Sequence, residues 1–175
     1  TQLYKTEMTG PMKDQKLTPR IADTARAIWL VYGLLALGCF LAYRMAGMSW
    51  ADAFMHMCTT VSLGGFSSHD ASFGHWNSPA IEGVAIVFML LSGVNLVLYF
   101  VAWRGRTLAP LWRNAEIQAF VGVLAGTIAL ITVYLWAGGA YPTLPESLRH
   151  AAFNVVSIAT TTGYAAYDYA QWPLF

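Results

Sequence analysis

One stretch limits the folds open to this chain more than any other: residues 49–70, SWADAFMHMCTTVSLGGFSSHD. Ser49 and Asp52 give an S-x-x-D start signal for a helix. The apolar run behind it stops at Gly64-Gly65, where glycine suits a helix end. A helix over 50–60 would be roughly 16 Å long at ~1.5 Å per residue, about half of a bilayer's hydrocarbon core. The segment that follows, TVSLGGFSS, holds hydroxyls and glycines without formal charge. The stretch predicts a half-length helix that hands over to an uncoiled strand.

The pattern returns near the C-terminus. Thr143-Leu144-Pro145-Glu146 is a second capping box, with proline tolerated in the first turn. SLRHAAFNVVSIATTTGYAAYDYA then runs to another glycine-aromatic pair. Gly163 minus Gly65 is an offset of 98 residues. At that offset Ser49 meets Ser147, Ala53 meets Ala151, His56 meets Asn154, Phe66 meets Tyr164 and Asp70 meets Asp168. A single Gly-aromatic turn is equally an ordinary helix C-cap. Two such half-helices, each with a downstream Asp, are an internal repeat.

Composition settles the solvent. Of 175 residues, 57% are hydrophobic and only 11% charged, against about a quarter charged in soluble proteins. The chain reads as an all-α integral membrane protein. Its net charge of +1 implies no bulk attraction to nucleic acid. Cys39 and Cys58 lie in apolar stretches without a C-x-x-C, so they read as inert core thiols. The polar start without an initiator Met and the end at Leu174-Phe175 suggest an internal piece of a longer protein.

Residues 1–26 are polar and basic and form a linker. Residues 27–43 are an uncharged span, extendable through Ala46 to Met48, with Arg44 able to snorkel. Residues 83–103 read as one full span and 117–141 as another. Gly122 and Gly126 make a G-x-x-x-G face for close helix packing, unless glycine is there only because membrane helices favour it. Lys and Arg gather in the leader and in loop 104–116, which places both in the cytoplasm. The half-helices then enter from outside. This divides the chain into a cytoplasmic linker (1–26), a helix–re-entrant loop–helix unit (27–103), a cytoplasmic loop (104–116) and a second, truncated unit (117–175).

Non-helical backbone at membrane depth is tolerated only where it is buried in protein or lines a water-filled path. A re-entrant strand with carbonyls, hydroxyls and no charge can replace the hydration shell of a cation. The half-helix C-termini would point partial negative charge at the membrane centre. Asp70 and Asp168 would sit at the outer mouth and concentrate cations, or else serve only as loop hydrogen-bond acceptors.

At these residues the chain resembles the TrkH/KtrB potassium-uptake family, relatives of the plant HKT transporters. SLGGFSSHD is similar to that family's second filter, SIATTTGYA to its third, and QLYKTEMTGPMKDQKLTPRIADTA to the segment joining its first two units. The likeness covers essentially all 175 residues. It implies four helix–pore–helix units of a potassium-channel-like fold around one path. It also implies potassium as the transported ion, a dimer of such chains, and a cytoplasmic nucleotide-binding ring of the TrkA/KtrA type as regulator. On this resemblance Ser62, Leu63, Gly64, Gly65 and Phe66, with Thr160, Thr161, Thr162, Gly163 and Tyr164, supply the filter. Neither strand reads T-V-G-Y-G, so both depart from true potassium channels. The family's gating loop lies in a helix that this chain lacks.

Other candidates read more plainly. His56 is expected to be a hydrogen-bonded core residue rather than a ligand. His69 and His75, near Asp70, leave a weak case for a metal site. Asn95 suggests helix–helix hydrogen bonding, with cavity lining as the alternative. Trp29, Trp50, Trp103, Trp112, Trp136 and Trp172 sit near predicted ends as an interfacial belt. No Ser-His-Asp set, Walker loop or zinc spacing appears, so no enzyme and no organic cofactor are expected. A membrane carrier or scaffold, whose glycine turns only pack helices, is the competing function class.

Overall fold

The structure is a computed structural model that describes residues 21–167 and Trp172. Among the described residues every regular element is helical. These are α1 (Ile21–Met45), α2 (Trp50–Val61), a 3₁₀ turn (Ser72–His75), α3 (Pro79–Gly93), α4 (Leu96–Arg104), α5 (Ala109–Trp112), α6 (Ala115–Ala137) and α7 (Leu144–Ala159). The apolar runs of α1 and α6 are long enough to cross a bilayer. Trp29, Leu34, Val123 and Leu130 on these two helices are exposed.

α1 overruns the expected 27–43 at both ends but does not continue through Ala46–Met48. Gly47 adopts φ +111, and Met48 N turns back to the Tyr43 carbonyl at 3.1 Å. Arg44 closes this corner, donating to the Met48 carbonyl at 3.2 Å and lying 4.9 Å from the centre of the Trp50 ring. The chain then turns back as α2, which packs against α1.

The uninterrupted span expected over 83–103 is instead two helices meeting at 84°. The reason is local. Val94 is extended, and Asn95 caps α4 by accepting from Val97 N at 3.0 Å. Tyr99 Oη donates to the Leu91 carbonyl at 2.7 Å, satisfying an acceptor that the end of α3 leaves orphaned. Asn95 is therefore a helix cap at an elbow rather than a cross-helix bridge.

The core lies between α1, α2, α3 and α7. Its centre is Phe73 from the 3₁₀ turn, fully buried among Tyr43, His56, Phe153 and Tyr164. A loop following the first glycine strand thus plugs the space between the two half-helices. Among the described residues nothing packs on the G-x-x-x-G face of α6: a Cβ at Gly122 or Gly126 would meet no atom within 4 Å. Cys39 is buried as expected, whereas Cys58 is exposed on α2, correcting its reading as a core thiol.

Candidate functional site

Both half-helices begin as their caps predict. Ser49 Oγ accepts from Asp52 N at 3.1 Å. Thr143 Oγ1 accepts from Glu146 N at 3.4 Å and donates to its carboxylate at 3.1 Å. Counted at the common offset, α7 starts one turn earlier than α2, so Ser147 is a buried helical residue rather than the counterpart of the Ser49 cap.

At their other ends the two elements match bond for bond. Ser62 N donates to Cys58 O and Thr160 N to Val156 O; Leu63 N donates to Thr60 O and Thr161 N to Ile158 O. Gly64 N and Gly65 N share the Thr59 carbonyl at 2.8 and 3.4 Å. Thr162 N and Gly163 N share the Ser157 carbonyl at 2.9 and 3.2 Å. The dihedrals repeat too. Leu63 (φ +55) and Thr161 (φ +61) are left-handed, as are Gly65 (φ +68) and Gly163 (φ +86). Left-handed Leu and Thr each cost roughly 1–2 kcal/mol, a strain the chain holds at both turns.

The fold brings the two strands together. A Cβ on Gly65 would stand 1.8 Å from the Thr162 carbonyl oxygen, so only glycine permits this approach. At Gly163 the same atom would meet open space. Tyr164 drops its ring behind the first strand. Its hydroxyl lies on Thr59 Oγ1 and, at 3.0 Å, on Thr60 Oγ1, which Tyr43 Oη also reaches at 2.8 Å. Ser157 Oγ donates to the Tyr164 carbonyl at 2.8 Å. Thr160 and Thr162 turn their hydroxyls to each other at 2.8 Å inside the protein. The hydroxyls of these two threonines are thus spent within the protein, on each other and on the Val156 carbonyl.

The loop beyond the first strand is bound to the same frame. His56 is fully buried, with Nδ1 2.9 Å from the Asp52 carbonyl and Nε2 3.0 Å from Ser67 Oγ. Asn154, its repeat counterpart, likewise bonds the carbonyl four residues back, at 2.9 Å from His150 O. His56 is thus a hydrogen-bonded structural residue. Asp52, in the first turn of α2, accepts from the Ser49 and Ser68 hydroxyls. Phe73 N donates to the Ala165 carbonyl at 3.0 Å, stitching this loop to the second strand.

Phe66 does not share the burial of Tyr164; it is 78% exposed. Asp70 is exposed, and Asp168 lies outside the described residues. His69 and His75 stack with ring centres 3.7 Å apart. Among the described residues no group of three or more His, Cys, Asp or Glu side chains is arranged to hold a metal ion. Sequence reasoning missed Ser157, the side-chain role of Tyr164 and the Phe73 plug. Phe73 and Trp76, two large aromatics inside an otherwise polar loop, were the available signal.

Comparison with known proteins agrees with this geometry. The TrkH cation transport protein family model matches residues 1–175. The Trk system potassium uptake protein TrkH of Halomonas elongata is 49% identical over 171 residues, covering 98% of this chain and 35% of that protein. The protein of the same name from Salmonella typhimurium is 45% identical over 174 residues, covering 99% and 36%. The crystal structure of the potassium transporter TrkH from Vibrio parahaemolyticus superposes with a TM-score of 0.85 at 37% identity, covering 89% of this chain and 34% of that one. The chain therefore spans about a third of the length of these relatives.

Proposed function

Because this chain belongs to the TrkH family of cation transport proteins, we propose that it supplies two of the strands of a potassium-selective path through the membrane. It is a transport protein of the bacterial inner membrane and not an enzyme. One observation carries the finer reading: two half-helices end in the same left-handed turn, and their glycine strands meet with Gly65 against the Thr162 carbonyl. Strands 62–66 and 160–164 turn backbone oxygens toward a path that dehydrates potassium. The half-helix C-termini add partial negative charge, and Asp70 and Asp168 attract cations at the mouth. Residues 1–26 and 104–116 face the cytoplasm. The remaining units of a longer chain complete the path. The dimer and the cytoplasmic nucleotide-binding ring belong to the same proposal and rest on the family resemblance.

The test is Gly163→Ser in the complete transporter, read as rubidium and sodium flux in proteoliposomes at matched protein. With φ +86 a serine there is strained although its side chain has room, so the carbonyl rotates. The rubidium-over-sodium preference should fall while membrane expression holds; Ala119→Ser on α6 should change neither. Unchanged selectivity and rate in Gly163→Ser would leave the glycine turns as helix packing only, the scaffold or carrier reading.

A further inference from the structure

A charged clamp stands away from the glycine strands. Arg149 lies in the second turn of α7 and Glu82 in the first turn of α3. Arg149 Nε donates to Glu82 Oε2 at 2.8 Å and Nη2 to Oε1 at 2.6 Å, a two-pronged pair. Nη2 also donates to Asn77 Oδ1 at 2.9 Å. Glu82 is 1% exposed. A buried carboxylate is costly unless its partner is present and well aligned, so this arrangement tolerates few alternative settings of α7.

The clamp is not part of the repeat. At the common offset Arg149 corresponds to Ala51, which has no charge. The start of α2 is held otherwise, by Arg44 over Trp50 and by Asp52 to Ser68. Among the described residues, the second half-helix is held to an earlier helix by a guanidinium–carboxylate pair, whereas Arg44 meets the first half-helix only through the Trp50 ring. α7 carries strand 160–164 at its far end, roughly 16 Å from Arg149 at ~1.5 Å per residue. A helix is stiff enough to transmit rotation or sliding over that length. Tyr164 must land beside Thr59 and Thr60 of α2 for the strands to meet. We infer that Arg149, Glu82 and Asn77 form a positioning device that sets the depth and rotation of α7, and through it the aim of the carbonyls in strand 160–164. The inference rests on the filter reading above.

The experiment uses the complete transporter with Arg149→Lys, Arg149→Gln, Glu82→Gln, the double Gln variant, and the apolar pair Arg149→Met with Glu82→Leu. Rubidium and sodium fluxes in proteoliposomes are read beside the thermal midpoint of the purified protein. Each Gln variant should lower the rubidium-over-sodium flux ratio about threefold or more, because misplacement of a binding group by a fraction of an ångström is felt strongly. The double Gln should be no worse than the poorer single, as coupled partners require. Arg149→Lys, which keeps charge but loses the fork, should also lower the ratio. The apolar pair should recover the thermal midpoint without recovering the ratio. If the apolar pair restores both, or if Arg149→Lys keeps the wild-type ratio, the clamp is only structural and the inference falls. Should the Gln variants not fold, those two arms decide. A Gly163→Ser effect with no clamp effect would overturn the clamp and keep the filter; silence from both would remove the filter reading itself.

Discussion

Two glycines with the same sequence neighbourhood are restrained for different reasons. Gly65 needs both a left-handed backbone and the missing Cβ, since the Thr162 carbonyl occupies that place; Gly163 needs only the backbone. Gly163→Ala should therefore cost on the order of 1–2 kcal/mol, the penalty for a left-handed side chain. Gly65→Ala should cost clearly more, because the strands must separate. Thermal unfolding of the complete transporter in detergent ranks the two, and equal losses would contradict the strand contact. Tyr164 offers a gentler probe. Tyr164→Phe keeps the buried ring and removes a hydroxyl bonded to α2, a loss of about 1 kcal/mol. A larger loss would mean that Thr60, left with Tyr43 alone, cannot settle.

The elements divide into those set by local chemistry and those set by the surroundings. Half-helices α2 and α7 start at side-chain caps and stop at glycine turns, and both signals are local. The elbow between α3 and α4 is different. Its apolar run carries no proline, and apolar content alone continues through it. The break depends on Asn95 capping α4 and on Tyr99 reaching the Leu91 carbonyl. Asn95→Ala should destabilise by about 1 kcal/mol. Tyr99→Phe, which orphans an acceptor in an apolar setting, should cost roughly 1–3 kcal/mol. If Asn95→Ala instead raises the thermal midpoint, the run prefers the straight helix and the elbow is imposed from outside it.

For the whole molecule the testable quantity is orientation. Arg104, Arg106 and Arg113 stand in and beside the α4–α5 turn, whereas Asp70 stands on the loop past the first strand. On the proposed topology, which rests on the positive-inside rule, the arginines face the cytoplasm. In a background with Cys39 and the exposed Cys58 replaced, Asp70→Cys should react in intact cells with a membrane-impermeant thiol reagent, and Thr107→Cys should not. The reverse pattern would invert the topology and remove Asp70 from the outer mouth. Two strands do not enclose a path, so these 175 residues alone should not restore growth on limiting potassium to a transport-deficient cell. Growth would show that fewer units suffice.

The sequence alone determined the membrane class, the half-helices with their caps, and the repeat at an offset of 98, because each depends on charge, turn chemistry or residues close in the chain. The left-handed glycines were legible for the same reason: a helix must end somewhere, and glycine marks the place. The tertiary structure decided what lies across the molecule. It brought Gly65 against Thr162, buried Tyr164 beside Thr59 while leaving Phe66 exposed, set Phe73 between the half-helices and paired Arg149 with Glu82. The Gly65–Thr162, Tyr164–Thr59 and Arg149–Glu82 contacts join residues 67 to 105 positions apart. No local rule links such residues; the packing of α7 against α3 and the meeting of the two strands do.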